Sequence, residues 1–150
     1  MLNELFDDYE KFVSFFKAND SKEVRDSLLK TDKLKYWYCR GVEDRKEVWS
    51  KITESAWAYK YCSNVKDREE VWSKIAEGEW AYKYCRWIKD RKEIWSKITA
   101  SEWAYKYCRW VKDRKEVRAK ITESTWACWY CWYIRDRKEV SKSIKDEYKC

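Results

Sequence analysis

Along most of the chain, apolar residues recur at two short helical spacings separated by charged or small residues. Val48 and Ile52 sit four apart behind the polar run Asp-Arg-Lys-Glu, and Val71/Ile75, Ile94/Ile98, Val117/Ile121 and Val140/Ile144 repeat that stripe. A second stripe follows: Trp57, Ala58, Tyr61, Cys62 and Val65 fall on one arc at roughly 100° per residue, with Tyr59 and Lys60 on the opposite arc. The pattern predicts pairs of short helices, the first about two turns long.

The pairs recur at a fixed interval. Cys39, Cys62, Cys85, Cys108 and Cys131 are each 23 residues apart, and their surroundings repeat with them. Such self-similarity predicts an all-α fold, an αα-solenoid of short two-helix repeats with an N-terminal capping helix. The predicted layout is one domain over 1–150: a cap helix in 1–19, repeats 20–43, 44–66, 67–89, 90–112 and 113–135, and a C-terminal half repeat 136–150. Leu2, Phe6, Tyr9, Val13 and Phe16 supply the apolar face of the cap. Each first helix opens with Asp-x-x-Glu, as in Asp44/Glu47 and Asp90/Glu93, the spacing of a capping box with Asp as N-cap. Asp32, Ser55, Gly78, Ser101 and Ser124 announce the second helices.

Composition narrows the chemistry. The 150 residues contain no His and no Pro, and the only Gly are Gly41 and Gly78. His-ligated metals, His-based triads and Gly-rich phosphate loops are thereby excluded. No cofactor, metal or catalytic residue is expected, and the chain does not read as an enzyme. An acidic N-terminal segment and the lack of any apolar stretch near the ~20 residues of a membrane span predict a soluble cytoplasmic protein. In a reducing cytosol the seven Cys read as free thiols, and the one Cys per repeat of the column can neither pair nor converge on a metal ion. Cys128 and Cys131 form a lone C-x-x-C, and Cys150 reads as an exposed tail thiol.

Trp57, Trp80, Trp103 and Trp126, with Tyr61, Tyr84, Tyr107 and Tyr130, are expected in the core. The candidate partner-binding face combines Tyr59, Tyr82 and Tyr105 with Trp87 and Trp110, which fall toward the rim of the second helix, and the basic columns Lys60, Lys83, Lys106, Arg86 and Arg109. A further Arg column, Arg45, Arg68, Arg91, Arg114 and Arg137, opens each first helix, where internal pairing with Asp and Glu is the favoured reading over an anionic ligand. In the last full repeat Cys128 replaces the Tyr, and Trp129 and Trp132 replace the Lys and Arg of these columns, which predicts that something covers this helix.

The pattern D-R-K-E-V-x-x-x-I followed by S-x-W-A-Y-x-Y-C resembles the short two-helix repeats found in tandem in bacteriophage and giant-virus proteins, a group without known function. This chain carries Cys where those repeats have Ala, in a slightly shorter unit. The resemblance implies a helical repeat fold and a viral source, with the host cytoplasm as location, and transfers no catalytic residue. The expected function is a binding solenoid that presents its aromatic and basic face to a protein partner, with inhibition of a host defence complex as the elaboration the resemblance suggests. Nucleic-acid binding through the Lys/Arg columns with Tyr stacking is the alternative, and a net charge of +7, modest for that role, is compatible with an acidic or nucleoprotein surface without demanding one. A structural homo-oligomer, a homodimer through Trp129 and Trp132, is the second alternative.

Overall fold

The computed structural model describes residues 6–134. The calls on residues 1–5 and on the half repeat 136–150, including Arg137, Val140, Ile144 and Cys150, lie outside the described residues. The fold is all-α: eleven helices among the described residues, short ones packed pairwise in a repeating pattern. The chain separates into two compact units, one ending at Ile75 and the other beginning at Ala76.

The first unit holds α1 (Tyr9–Asn19), α2 (Lys22–Leu28), α3 (Asp32–Gly41), α4 (Lys46–Trp49), α5 (Ser55–Asn64) and α6 (Glu69–Trp72). Helix α1 starts where the Asp8 carboxylate accepts hydrogen bonds from the Glu10 and Lys11 amides. It packs on α3 and buries Phe12 and Phe16, so Phe12 takes a central place that the heptad-like register through Tyr9 and Val13 does not reveal. In the second unit α7 (Gly78–Trp87), α9 (Ser101–Trp110) and α11 (Ser124–Tyr133) pack side by side, with the single turns α8 (Lys92–Trp95) and α10 (Lys115–Arg118) beneath them.

The first helices of the repeats following α3 are shorter than two turns. Each is one α-turn of four residues, after which i→i+3 bonds such as Ile52 N–H to Trp49 O carry the chain to the buried Ile. Ile52, Ile75 and Ile98 are fully buried, as are Val71, Ile94 and Val117. At roughly 1.5–3 kcal/mol per buried aliphatic side chain, these columns are the main reason a one-turn helix is held at all.

The capping expectation is corrected. Arg45, Arg68, Arg91 and Arg114 occupy the N-cap positions, without a side-chain cap bond, and at α2 the cap is Ser21. The starts of α5 and α11 are bonded from the neighbouring repeat instead, whereas α3 carries its own cap, the Thr31 hydroxyl accepting from the Leu34 amide at 3.4 Å. Asp32 at the start of α3 accepts from the Thr53 and Glu54 amides at 2.6 and 2.7 Å, ahead of α5. Ser101 at the start of α9 does the same for the Thr122 and Glu123 amides ahead of α11, at 3.0 and 3.1 Å. These contacts satisfy amides that a helix start leaves without partners, and they set the register between repeats.

Candidate interaction surface

Most of the conspicuous charge in this protein is spent internally. In the first unit Tyr61 donates to Asp44 at 2.6 Å and accepts from Arg68 Nε at 2.8 Å, while Arg68 also meets Asp44 at 2.6 Å. In the second unit Tyr107, Asp90 and Arg114 form the same triangle at 2.6, 2.7 and 2.5 Å. The first repeat repeats it with Tyr38, Asp20 and Arg45, and Arg25 joins at 2.6 Å from Asp20. Each triangle ties the Asp and Tyr of one repeat to the Arg of the next. Arg45, Arg68 and Arg114 of the Arg column are therefore paired with carboxylates inside their units, in agreement with internal pairing.

These networks bias protonation in a consistent direction. Burial and then the Asp20 hydrogen bond push the Tyr38 hydroxyl up to about 12, and Tyr61, Tyr107 and Tyr130 are raised for the same two reasons with their own Asp partners. Burial lifts the Asp20 carboxyl, yet the hydrogen bonds from Arg25 and Tyr38 outweigh it and hold it below the usual carboxylate range. Burial pushes the Cys39, Cys85 and Cys108 thiols up to about 12. Cys39, Cys62, Cys85, Cys108 and Cys131 are free thiols, whereas Cys128 is disulfide-bonded, which corrects the reading of all seven as thiols. Among the described residues, no three Cys, Asp or Glu come together in a way that could hold a metal ion.

The aromatic columns fall differently from the single-helix reading. Tyr82 and Tyr105, expected at the rim, are 5% and 2% exposed. Trp57, Trp80, Trp103 and Trp126, expected in the core, are only half-buried. The reason is that a helix in an array touches three neighbours, its own first helix and a second helix on each flank. The Tyr column stacks against the Trp of the following repeat, Tyr36 on Trp57 at 5.6 Å, Tyr82 on Trp103 at 5.8 Å and Tyr105 on Trp126 at 5.5 Å. Tyr59 is half-buried, while Tyr61, Tyr84, Tyr107 and Tyr130 are fully buried as expected.

The Lys column lies over these Trp rings. Lys60, Lys83 and Lys106 stand 3.9, 4.0 and 4.1 Å from the centroids of Trp57, Trp80 and Trp103. Lys83 and Lys106 are also paired with Glu79 and Glu102 at 2.5 Å. The first unit holds a basic pocket of about 550 Å³, lined among others by Arg25, Lys35 and Lys51. These three cations are likewise matched, by Asp20, Asp32 and Asp26.

One row escapes this pattern. In the second unit Arg86 lies 4.5 Å from the Trp87 ring and 5.2 Å from the Trp110 ring, and Arg109 lies 4.5 Å from both Trp110 and Tyr133. Each guanidinium donates to a Tyr hydroxyl, Arg86 to Tyr82 at 2.5 Å and Arg109 to Tyr105 at 2.7 Å, and neither has a carboxylate partner among the described residues. The result is a ladder in the order Trp87, Arg86, Trp110, Arg109, Tyr133. Its aromatic rungs are 64%, 52% and 59% exposed. Trp129 and Trp132, at 42% and 70%, extend the exposed aromatic surface on α11, where Trp129 meets Tyr133 at 6.2 Å.

Tyr133 was missed in the sequence, although it occupies the column of Trp87 and Trp110. Its position 23 residues after Trp110 is the signal that finds it. The ladder thus unites Arg86, Arg109, Trp87 and Trp110 of the expected face and leaves Tyr82 and Tyr105 as buried supports behind it. No protein family, curated protein or solved structure matches the chain. What stands is a tandem helical repeat with exposed tryptophans, none of whose described helices is long and apolar enough to cross a membrane.

Proposed function

We propose that this protein is a non-enzymatic binding array whose working surface is the aromatic and arginine ladder of the second unit, extended by Trp129 and Trp132, and whose partner is a protein. The observation that carries the reading is the contrast among cations: Arg68, Arg114 and Lys106 are matched by carboxylates, whereas Arg86 and Arg109 are held between exposed rings with no carboxylate partner among the described residues. Trp, Tyr and Arg are the residues that dominate binding energy at protein interfaces, and several large exposed aromatic residues on one surface are unusual unless a partner covers them. The resemblance to phage and giant-virus repeats extends the proposal to an inhibitor that occludes a host protein.

The test is crosslinking in the native cell from a photo-reactive residue at Trp110, read by mass spectrometry. A single protein crosslinked by the parent chain and lost on Trp87→Asn with Arg86→Ser, the residues that the first unit carries at those columns, supports the reading. Crosslinks that are diffuse and unchanged by that variant overturn it. Nucleic-acid binding remains as the second reading, favoured by the same unpaired Arg86 and Arg109, with Trp87 and Trp110 replacing the buried Tyr column as stacking groups. Steep loss of RNA or DNA affinity with rising salt would support it. Light scattering on the parent chain and on Trp129→Lys with Trp132→Arg tests the homodimer reading.

A further inference from the structure

We propose that the ladder binds an extended acidic peptide in the polyproline II conformation, with a carboxylate at every third residue. This deepens the protein-binding reading and rests on it. A guanidinium clasped between two rings has its faces covered, so its edge is what remains for a ligand. That edge presents parallel N–H donors that match a carboxylate in bidentate fashion. One donor of each Arg is already used by a Tyr hydroxyl, which fixes the side chain's orientation without neutralising it.

Spacing then selects the ligand's backbone. The two guanidinium carbons flank the shared Trp110 ring at 5.2 and 4.5 Å, and the repeats step along by the ~8–10 Å between packed helices. A polyproline II chain has three residues per turn and rises about 3.1 Å per residue, so it returns a side chain to the same side every ~9 Å. An α-helix returns one every ~5.4 Å and a strand every ~6.8 Å, so neither meets both Arg side chains in a single step. Projecting aromatic rungs suit the same ligand, because preformed polyproline II segments dock in aromatic-lined grooves at low entropic cost. Charge agrees as well: Lys83 and Lys106 nearby are already balanced by Glu79 and Glu102, so the acid of the ligand is directed to Arg86 and Arg109.

The probes are fluorescein-labelled (Glu-Pro-Pro)4, its neutral analogue (Gln-Pro-Pro)4, the respaced (Glu-Pro-Pro-Pro)3 and an oligo-dT of twelve nucleotides, measured by anisotropy against the full chain. The expected result is (Glu-Pro-Pro)4 binding at least tenfold tighter than the other three. Arg86→Gln with Arg109→Gln should weaken it at least tenfold while leaving the thermal melt unchanged. Equal binding of the glutamine peptide overturns the acidic specificity, and if that binding is lost in Trp87→Asn with Trp110→Asn, the protein-binding surface itself survives. Equal binding of the respaced peptide overturns the register. Tighter binding of the oligonucleotide overturns the peptide in favour of nucleic acid. No binding by any probe overturns the inference, and the crosslinking experiment then decides the broader reading on its own.

Discussion

The two units are built on one repeat and differ at the last two positions of the second helices. In the first unit those positions are Arg40 and Gly41 on α3, and Ser63 and Asn64 on α5. Helix α1 covers the former pair: the Arg40 guanidinium lies 5.5 Å from the Tyr9 ring, and a β-carbon on Gly41 would come within 2.4 Å of Val13 Cγ2 and 2.6 Å of Tyr9 Oη. Trp37, in the column that holds Lys elsewhere and Trp129 in α11, is packed by Tyr9 and Phe12 at 5.6 Å each. In the second unit the same positions are Arg86/Trp87, Arg109/Trp110 and Trp132/Tyr133, all without a covering helix among the described residues. Interior columns are constrained by packing and are nearly identical in both units. The rim makes no such demand, and that is where the units diverge.

The largest expected effect lies in the core that the two units share. Ile52→Ala and Ile98→Ala should each destabilise by about 2–5 kcal/mol in denaturant melts, because each empties an equivalent fully buried site. A large inequality between them would show that the units are not held alike. Next in size is Gly41→Ala, expected to cost about 1–3 kcal/mol by overpacking against Val13 and Tyr9, both on α1. A neutral result would mean that α1 does not seat there as described.

The caps separate the units by chemistry. Asp32→Ala should cost about 1–3 kcal/mol, since it removes the acceptor of two amides, and Ser101→Ala about 0.5–2 kcal/mol. Burial lifts the Asp32 carboxyl, but Lys35 and the Glu54 and Thr53 amides outweigh it and hold it below the usual carboxylate range. Its folded value lies below its unfolded one, so its contribution is present above the unfolded value and lost as pH falls through the folded value. Hydrogen-exchange protection at Thr53 and Glu54 should therefore fall on acidification below pH 4, while protection at Thr122 and Glu123, held by the non-titrating Ser101, should follow only global stability. Parallel loss at both sites would contradict the assignment.

The smallest expected effect is on the ladder itself. Trp87→Asn with Trp110→Asn should change stability by no more than about 0.5 kcal/mol, because both rings are mostly exposed. A much larger cost in thermal melts would make the ladder a packing feature and remove its claim to be a surface for a partner.

Much of this was legible in the chain. The interval of the Cys column defined the repeat, the four-residue spacing of Val48 and Ile52 defined a buried stripe, and the aromatic substitutions at Trp129 and Trp132 marked an unusual helix. Capping was not legible, because Asp44 and Asp90 sit where a local box would place them yet accept from a Tyr 17 residues further along and an Arg 24 residues away in the next repeat. Nor was the burial of Tyr82 and Tyr105: helical periodicity assigns one inward face, whereas stacking on both flanks buries a wider arc.

Local spacing and composition thus determined that the chain forms short paired helices in tandem, since an i, i+4 apolar pair and a fixed repeat are properties of neighbouring residues. Which cations are spent and which remain was decided only by tertiary structure. Arg68, Arg86, Arg109 and Arg114 are the same side chain, and their fates differ because three-dimensional packing brings Asp44 and Asp90 to the outer two and aromatic rings to Arg86 and Arg109.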